Sequence, residues 1–452
     1  MNLIEIRRGL DLPIAGKPDQ GEIRDLTEAS KTALLGSDFT GISPKIVVKQ
    51  GEKVKKGQVL FFDRKNPSVK FTSFGSGTVK EINRGQKRKL ISVVVELDSG
   101  NDEIKFPFYK REKLGKLNAS EIKDILTQSG LWTVIRQRPF GKIADPEISP
   151  HSIFIYATDT NPLAPDTDIT IKGREEEFLA GIEILSRLTN GTLFLCKKQN
   201  SIVPEPDYKR VQVYFFSGPH PAGNPGTHIY FLDPVTKSKK VWYINAQSTA
   251  DIGRLFLTGS LPEFKIISIA GPEVKNPGIF RVRKGSHISG LLKDNLSGNK
   301  LRIISGSVFN GHTAEKEAGY LGIFHNQITV ISDDVKRPFL GWLRPGFFDF
   351  SVSNAYISKF IPWKKYKFNT ALHGGIRAIF PTDNYNKVNI FNTEPVYLLR
   401  ALAVGDIDDS VKLGCLHLTE EDIALLTFVC PAKIDHGKNL RKVLNEIEKE
   451  GL

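Results

Sequence analysis

The 452 residues carry 63 Lys and Arg against 50 Asp and Glu, a formal net charge of +13, with 40% hydrophobic and 25% charged residues. This is the balance of a globular chain long enough for three or four domains, each with its own core. No apolar run reaches the roughly eighteen residues a spanning helix needs, since the longest, 423–430, is broken by Thr427.

Glu5, Arg7 and Arg8 stand where a secretion signal would place its apolar region, so a cytoplasmic location is expected. Cys196, Cys415 and Cys430 are widely spaced and form no CxxC pair; buried free thiols are expected, not a cysteine-ligated metal site. The positive charge is uneven: residues 45–89 hold thirteen Lys and Arg against Glu52, Asp63 and Glu81. With no recognition-helix, zinc-finger or RNP-type pattern, anionic headgroups or an acidic partner surface suit this patch better than nucleic acid.

In chain order, residues 3–20 read as a strand and then an extended segment turning at Gly16-Lys17-Pro18. Residues 48–79 set Gly51 and Gly57 among alternating apolar and polar positions, and the pattern repeats after the turn cluster 63–67 with Val69, Phe71, Gly75-Ser76-Gly77 and Val79. Two such halves around one hairpin predict a small flattened barrel. The pattern resembles the biotinyl/lipoyl carrier domain, in which the hairpin tip bears a modified lysine. Lys65 sits near that tip, but Arg64-Lys65-Asn66-Pro67 reads as an ordinary basic turn and the barrel as one that carries nothing. The segments LISVVVEL and IKFPFY within 90–109 predict strands closing it.

Ile122, Ile125, Leu126 and Leu131 then fall at helical spacing, with Ser120 and the acids after it marking the start and Gly130 the end. Residues 131–142 read first as a helix-to-strand connection with Trp132 and Phe140 in the core and the charges outside. A loop contacting a flat ligand is the alternative. Strands at 152–157, 192–196 and 211–216 around a helix at 175–188 predict a Rossmann-like sheet. The glycine-rich loop 217–228 contains Pro219, Pro221 and Pro225, which remove donors from any phosphate nest, so nucleotide binding is not expected there.

Strands at 264–270, 278–282, 301–305 and 327–331 with a short helix at 288–292 form a third unit. From 333 the chain is aromatic and then helical. Trp342, Phe347, Phe348, Phe350, Phe360, Trp363, Tyr366 and Phe368 lie beside Lys359, Lys364, Lys365 and Lys367, as core plus rim or as an interfacial stretch. Thr419 followed by Glu420, Glu421 and Asp422 predicts a helix start. His220, His228, His312, His325 and His373 have neither HExxH spacing nor a GxSxG partner, so no metal or catalytic residue is expected.

Several stretches carry a wider resemblance: 8–18, 33–36, Phe71-Thr72-Ser73, 77–79 and 82–85 near the start, and 395–402, 413–415, 420–425, 428–433 and 447–451 near the end. In these the chain resembles the A-subunit family of the bacterial Na⁺-translocating NADH:quinone reductase. The resemblance implies a multidomain α/β and β chain. Residues 1–109 would form a lipoyl-like barrel-sandwich domain, and 110–260 a Rossmann-like α/β domain similar to the flavin subunit of complex I. Residues 261–332 would form a β-grasp domain of the SLBB type, and 333–452 an aromatic-rich, helical C-terminal domain. It also implies a peripheral location on the cytoplasmic face of the inner membrane, bound to five partner subunits, B to F, that hold FMN, FAD, riboflavin and a [2Fe–2S] cluster. Ubiquinone would be the substrate. The flavin-loop position has Ser129-Gly130-Leu131 followed by bulky Trp132, which speaks against bound flavin. The stretches linked to quinone match 33–39, with Leu34, Leu35, Gly36, Asp38 and Phe39, and 138–142, with Arg138, Pro139, Phe140 and Lys142; Leu34, Leu35, Phe39 and Phe140 would supply apolar walls, with Arg138 or Lys142 donating to a quinone carbonyl. A scaffold that docks a membrane subunit through its basic and aromatic surfaces is the other reading.

Overall fold

The computed structural model describes residues 2–335 and 343–451; Trp342, among the aromatic residues above, lies outside them. The hairpins expected from 48–79 form two facing sheets. One orders the strands Lys31–Leu35, Leu90–Leu97, Gly77–Arg84 and Lys53–Val54, the other Pro44–Ile46, Val59–Asp63 and Lys70–Thr72. Between them Phe61 stacks on Phe71 with ring centroids 4.4 Å apart, and Phe39 meets Phe71 edge-on at 4.6 Å. Gly51 and Gly57 take φ of 85° and 82° in the two turns, conformations that a side chain would strain. At the hairpin tip Lys65 Nζ donates to the Gly41 carbonyl at 3.0 Å.

Two parts of the first hundred residues leave this barrel. Leu3–Glu5 pairs in parallel with Val211–Ser217, and Asp19–Leu26 forms an unforeseen strand parallel to Gly278–Arg283. DQGEIRDL carries its charges because it lies at a sheet edge, where they deter further pairing and hide the strand's alternation. The strand expected at 104–109 is not one. Its backbone instead hydrogen-bonds singly to the α/β unit, Phe106 N to the Gly259 carbonyl and Tyr109 N to that of Phe256.

A seven-stranded sheet follows in the order Leu3–Glu5, Val211–Ser217, Thr192–Lys198, Ser152–Ala157, Val241–Asn245, Arg136–Arg138, Lys142–Ile143. The first five are parallel and the last two antiparallel. The helix before this edge spans Ala119–Ser129; its cap is Asn118, two residues before the expected Ser120, in a capping box with Glu121. Trp132 fills the core edge-on to Trp242, its Nε1 donating to Ala144 O at 2.7 Å.

On the sheet, the helices Glu175–Ser186 and Ala246–Thr258 meet backbone to backbone. A Cβ on Gly253 would stand 1.8 Å from Glu177 O, and one on Gly181 1.9 Å from Thr249 O.

The six-stranded sheet runs His312–Thr313, Leu301–Ser305, Gln327–Ser332, Phe264–Ala270, Gly278–Arg283, Asp19–Leu26, with the short helix Ile288–Leu291 packed on it. The C-terminal helices Pro395–Val404 and His436–Glu450 bury Leu398, Leu399, Leu402, Val443, Leu444 and Ile447 in one apolar core. Pro395 opens the first of them, and Gly405, at φ 79°, closes it. Cys196, Cys415 and Cys430 are buried and free. Among the described residues no helix is long and apolar enough to cross a membrane.

Because neither helix can retreat from the glycine contact without uncovering its buried face, Gly253→Val should destabilise the protein by at least about 2 kcal/mol. A drop in thermal and urea midpoints measures this, and unchanged midpoints would show that the helices have room to part.

Candidate functional site

Residues 419–422 do not start a helix. Asp422 Oδ2 accepts from Thr419 N at 2.8 Å and closes a turn, and the helix begins only at Ala424. The three acids point at arginines. Arg138, fully buried, donates from Nη1 to Asp422 Oδ2 at 2.7 Å and to the His417 carbonyl at 2.8 Å, and from Nη2 to Glu421 Oε1 at 3.1 Å. Arg441 grips Glu420 through two nitrogens at 2.6 and 2.7 Å and donates to the Phe140 carbonyl at 2.8 Å. Asp422 also lies against Gly226, in the first turn of the helix Pro225–Leu232, where an added Cβ would be 2.0 Å from Oδ1. The glycine-rich loop thus receives a carboxylate of the chain itself.

This arrangement corrects the expected role of Arg138. The charges of 131–142 are not all outside, and this one is engaged by Asp422, Glu421 and the His417 carbonyl instead of facing a quinone carbonyl. Lys142 is likewise paired, with Glu448. Pro139 follows Arg138 through a cis peptide, and Phe140, at φ 82°, packs against the C-terminal helical core. Leu34 and Leu35 are buried in the barrel strand, Leu35 beside Val94 and Tyr320, and a Cβ on Gly36 would lie 2.2 Å from Leu90 O. The two stretches do approach one another: a Cβ on Gly41 would lie 2.6 Å from Lys142 Nζ.

Behind them is a cavity of about 310 Å³ where all four units meet. Ser37, Asp38 and Thr40 come from the barrel, Arg136, Tyr156 and Asp159 from the α/β sheet, His312, Phe324 and His325 from the third unit, and Glu420, Glu421 and Arg441 from the C-terminal unit. Ser37, Thr40, Glu420 and Arg441 also line an outer cleft of about 780 Å³ bearing Arg64, Arg84, Lys87, Arg88 and Lys89, part of the basic patch seen in the sequence.

Arg136, two residues before Arg138 on the same strand face, keeps its charge toward this cavity. Its guanidinium lies 4.7 Å from the ring centroids of both Tyr243 and Phe324, with Glu421 at 3.8 Å. Burial raises the Asp38 pKa against the opposing pull of the Ile323 amide, which donates to Oδ2 at 2.8 Å. Burial and the neighbouring Lys284 charge push the Lys265 ammonium down to about 7 as it donates to the Ile323 and His325 carbonyls. His325 is held well below its ordinary value by burial and by His312, whose ring centroid is 5.2 Å away. Arg136 and Arg441, the imidazoles of His312 and His325, and the carboxyl groups of Asp38 and Asp159, whose pKa values burial raises, give the cavity wall both donors and acceptors for a small polar ring. Arg136, Lys265, His312 and His325 lie far apart in sequence and in no motif. Two stretches signalled the region, 33–39, which contains Asp38, and the interleaving of bases with aromatics at 132–142.

Two expectations follow from this geometry. Arg138→Met should cost about 3–5 kcal/mol by stranding buried Asp422, and Asp422→Leu in the same chain should restore much of it; a single variant with wild-type urea and thermal midpoints would refute the tie. For Lys265, the folded value of about 7 lies below its ordinary 10.5, so the unfolded chain binds more protons between them and stability is lost as pH falls from 10.5 toward 7. Stability of wild type minus that of Lys265→Met should therefore rise by about 1.4 kcal/mol per pH unit across that window. A difference that does not change with pH would place the lysine's charge in solvent.

Family models match three segments of the chain. Residues 4–98 match the family model for the NqrA N-terminal barrel-sandwich hybrid domain, 117–261 the NqrA second alpha/beta domain, and 266–316 the NQRA C-terminal domain. The A-subunit of the Na(+)-translocating NADH-quinone reductase of Histophilus somni (strain 2336) is 46% identical over 449 residues, covering 99% of this chain and 100% of that one. Those of Pasteurella multocida (strain Pm70) and Neisseria meningitidis serogroup C are 45% identical over the same shares. A solved NAD⁺-reducing [NiFe]-hydrogenase in its H₂-reduced state overlaps 75% of this chain and 63% of its own at 11% identity and TM-score 0.37, too little to argue from. On the full-length identity and the three domain matches, the chain belongs to the NqrA family, the A-subunits of the Na(+)-translocating NADH-quinone reductase.

Proposed function

We propose that this chain acts as the A-subunit of a complex that oxidises NADH, reduces ubiquinone and exports Na⁺, and that its junction cavity takes the quinone head group. Membership of the complex rests on end-to-end identity with relatives of that name. In this reading the five partners, B to F, carry the FMN, FAD, riboflavin and [2Fe–2S] centres, the chain sits peripherally on the cytoplasmic face, and turnover belongs to the assembly. The likeness of its α/β domain to the complex I flavin subunit belongs to the same reading.

For the quinone, the observation that carries the proposal is Arg136, held between two aromatic rings at the edge of a 310 Å³ cavity, beside Asp38 and His312. A volume at the lower end of ligand-pocket sizes suits a head group without its tail. In the outer cleft Ile42, backed by the buried Phe39 and Leu90, offers apolar surface to the first isoprenoid unit. Reduction to the quinol takes two electrons, which in this reading come from the redox centres of the partners, and two protons; Arg136 stabilises the negative charge that develops on a quinone oxygen, and both protons come from solvent along the polar cavity wall at Asp38 and His312. Of the residues first expected, Leu34, Leu35, Pro139 and Phe140 do not line the cavity, and Gly36 lines only the outer cleft. Arg138 and Lys142 hold the C-terminal unit in place through Asp422, Glu421 and Glu448.

Titration of the purified chain with a short-tailed ubiquinone in a calorimeter should give saturable binding, weakened about 10-fold or more by Arg136→Leu with the melting temperature little changed. Absence of saturation would leave the chain a docking scaffold. Co-purification from membranes with the partners B to F tests membership separately.

A further inference from the structure

The aromatic residues after 343 divide into two sets. Phe350, Tyr366 and Phe368 face inward and meet one another, and Phe350 and Phe368 meet Phe428, with ring centroids 5.6–6.5 Å apart. Tyr366 is fastened further by backbone hydrogen bonds, its amide donating to Pro13 O and its carbonyl accepting from Ala15 N. This set explains why the segment holds its shape. The second set faces outward: Phe348 and Trp363 are each 77% exposed and Phe360 71%, with Leu343, Phe347 and Ile357 also outward.

Two of these outward rings, Phe348 and Phe360, touch a cation. Lys364 Nζ lies 4.2 Å from the Phe348 ring centroid and also reaches the Phe347 carbonyl, while Lys359 Nζ lies 5.0 Å from the Phe360 centroid. Ile357 N donates to Pro345 O at 3.1 Å, which brings 345–348 alongside 356–364. From 343 to 367 the sequence has Arg344, Lys359, Lys364, Lys365 and Lys367 against one carboxylate, Asp349. An apolar surface meant for another protein's core does not need a cation beside its rings. An anionic bilayer surface matches both features, as rings sink to the acyl boundary while ammonium groups stay among phosphates.

We propose that the face formed by 343–367 docks directly on anionic phospholipid, with Phe348, Phe360 and Trp363 entering the interface and Lys359, Lys364 and Lys365 contacting headgroup phosphates. The site lies outside the quinone cavity and holds whether or not quinone binds there.

Flotation of the purified full chain with phosphatidylcholine vesicles, with and without about one third phosphatidylglycerol, tests it. The chain should float with the anionic vesicles only and be released by roughly 0.5 M salt, which shortens the screening length to a few ångströms. In a Trp342→Phe background, vesicles should shift Trp363 emission to the blue, since Trp132 and Trp242 are already buried. Phe360→Ser/Trp363→Ser and Lys359→Glu/Lys365→Glu, all at exposed positions, should each reduce vesicle binding at least 10-fold with unchanged melting temperatures. Failure to float with either vesicle, equal flotation with both, or flotation unaffected by both variants overturns the proposal. Failure to float, together with burial of Trp363 only in the detergent-solubilised complex, would make a membrane subunit the occupant instead.

Discussion

The structure depends on a buried cation. Arg138 reaches from the antiparallel edge of the large sheet into the C-terminal unit, its side chain wholly enclosed. Burying a guanidinium is costly unless its donors are matched; here Asp422, Glu421 and the His417 carbonyl meet Nη1 and Nη2, while Nε is left without a hydrogen-bond partner. Arg138 therefore does more to specify than to stabilise. The C-terminal helices have an apolar core of their own, and apolar packing alone would tolerate many seatings against the sheet. One arginine and a turn of three acids admit one seating.

That seating is what creates the cavity. Glu420 and Glu421 reach it on the same turn that carries Asp422 to Arg138, and Arg441 arrives because it grips Glu420. With two arginines neutralised by the acids, Arg136 is left stacked between Tyr243 and Phe324 with only a long contact to Glu421. Of the other titratable groups facing the cavity, Asp38 is supplied by the barrel, His312 and His325 by the third unit, and Asp159 by the α/β sheet. No single domain contains the site, so its titration behaviour is a property of the assembled chain.

Legibility in the sequence followed the range of the interaction responsible. The turns at Gly51 and Gly57, the strands 152–157 and 264–270, and the helix ending at Gly130 are written locally, in alternation, helical spacing and positive-φ glycines, and they could be read directly. Thr419-Glu420-Glu421-Asp422 has the composition of a helix cap, but arginines from 138 and 441 claim the acids, and tertiary charge pairing overrides the local signal. Asp19–Leu26 was hidden for the opposite reason, because an edge strand is selected to look unlike a strand. Family resemblance pointed to 33–39 and 138–142, stretches that border the junction cavity, and within the second it named Arg138 and not Arg136. Spacing puts both on one face of a strand, and only the fold decides which of the two is enclosed by hydrogen-bonding carboxylates and which lines the cavity.

The inward aromatic set links the far surface to this core. Phe350 and Phe368 close on Phe428, Phe428 on Phe309, and Phe309 stacks on His220, whose Nδ1 lies 3.2 Å from Thr160 Oγ1, next in sequence to the cavity residue Asp159. Phe428 also lies on the helix that directly follows the acidic turn, so the outer face and the Arg138 tie share one short piece of backbone. A surface mounted on a flexible tail could hold a membrane without orienting anything behind it. Mounted on rings packed against the helix that leaves the acidic turn, it fixes the direction in which the cavity faces, because close-packed side chains transmit position with little compliance.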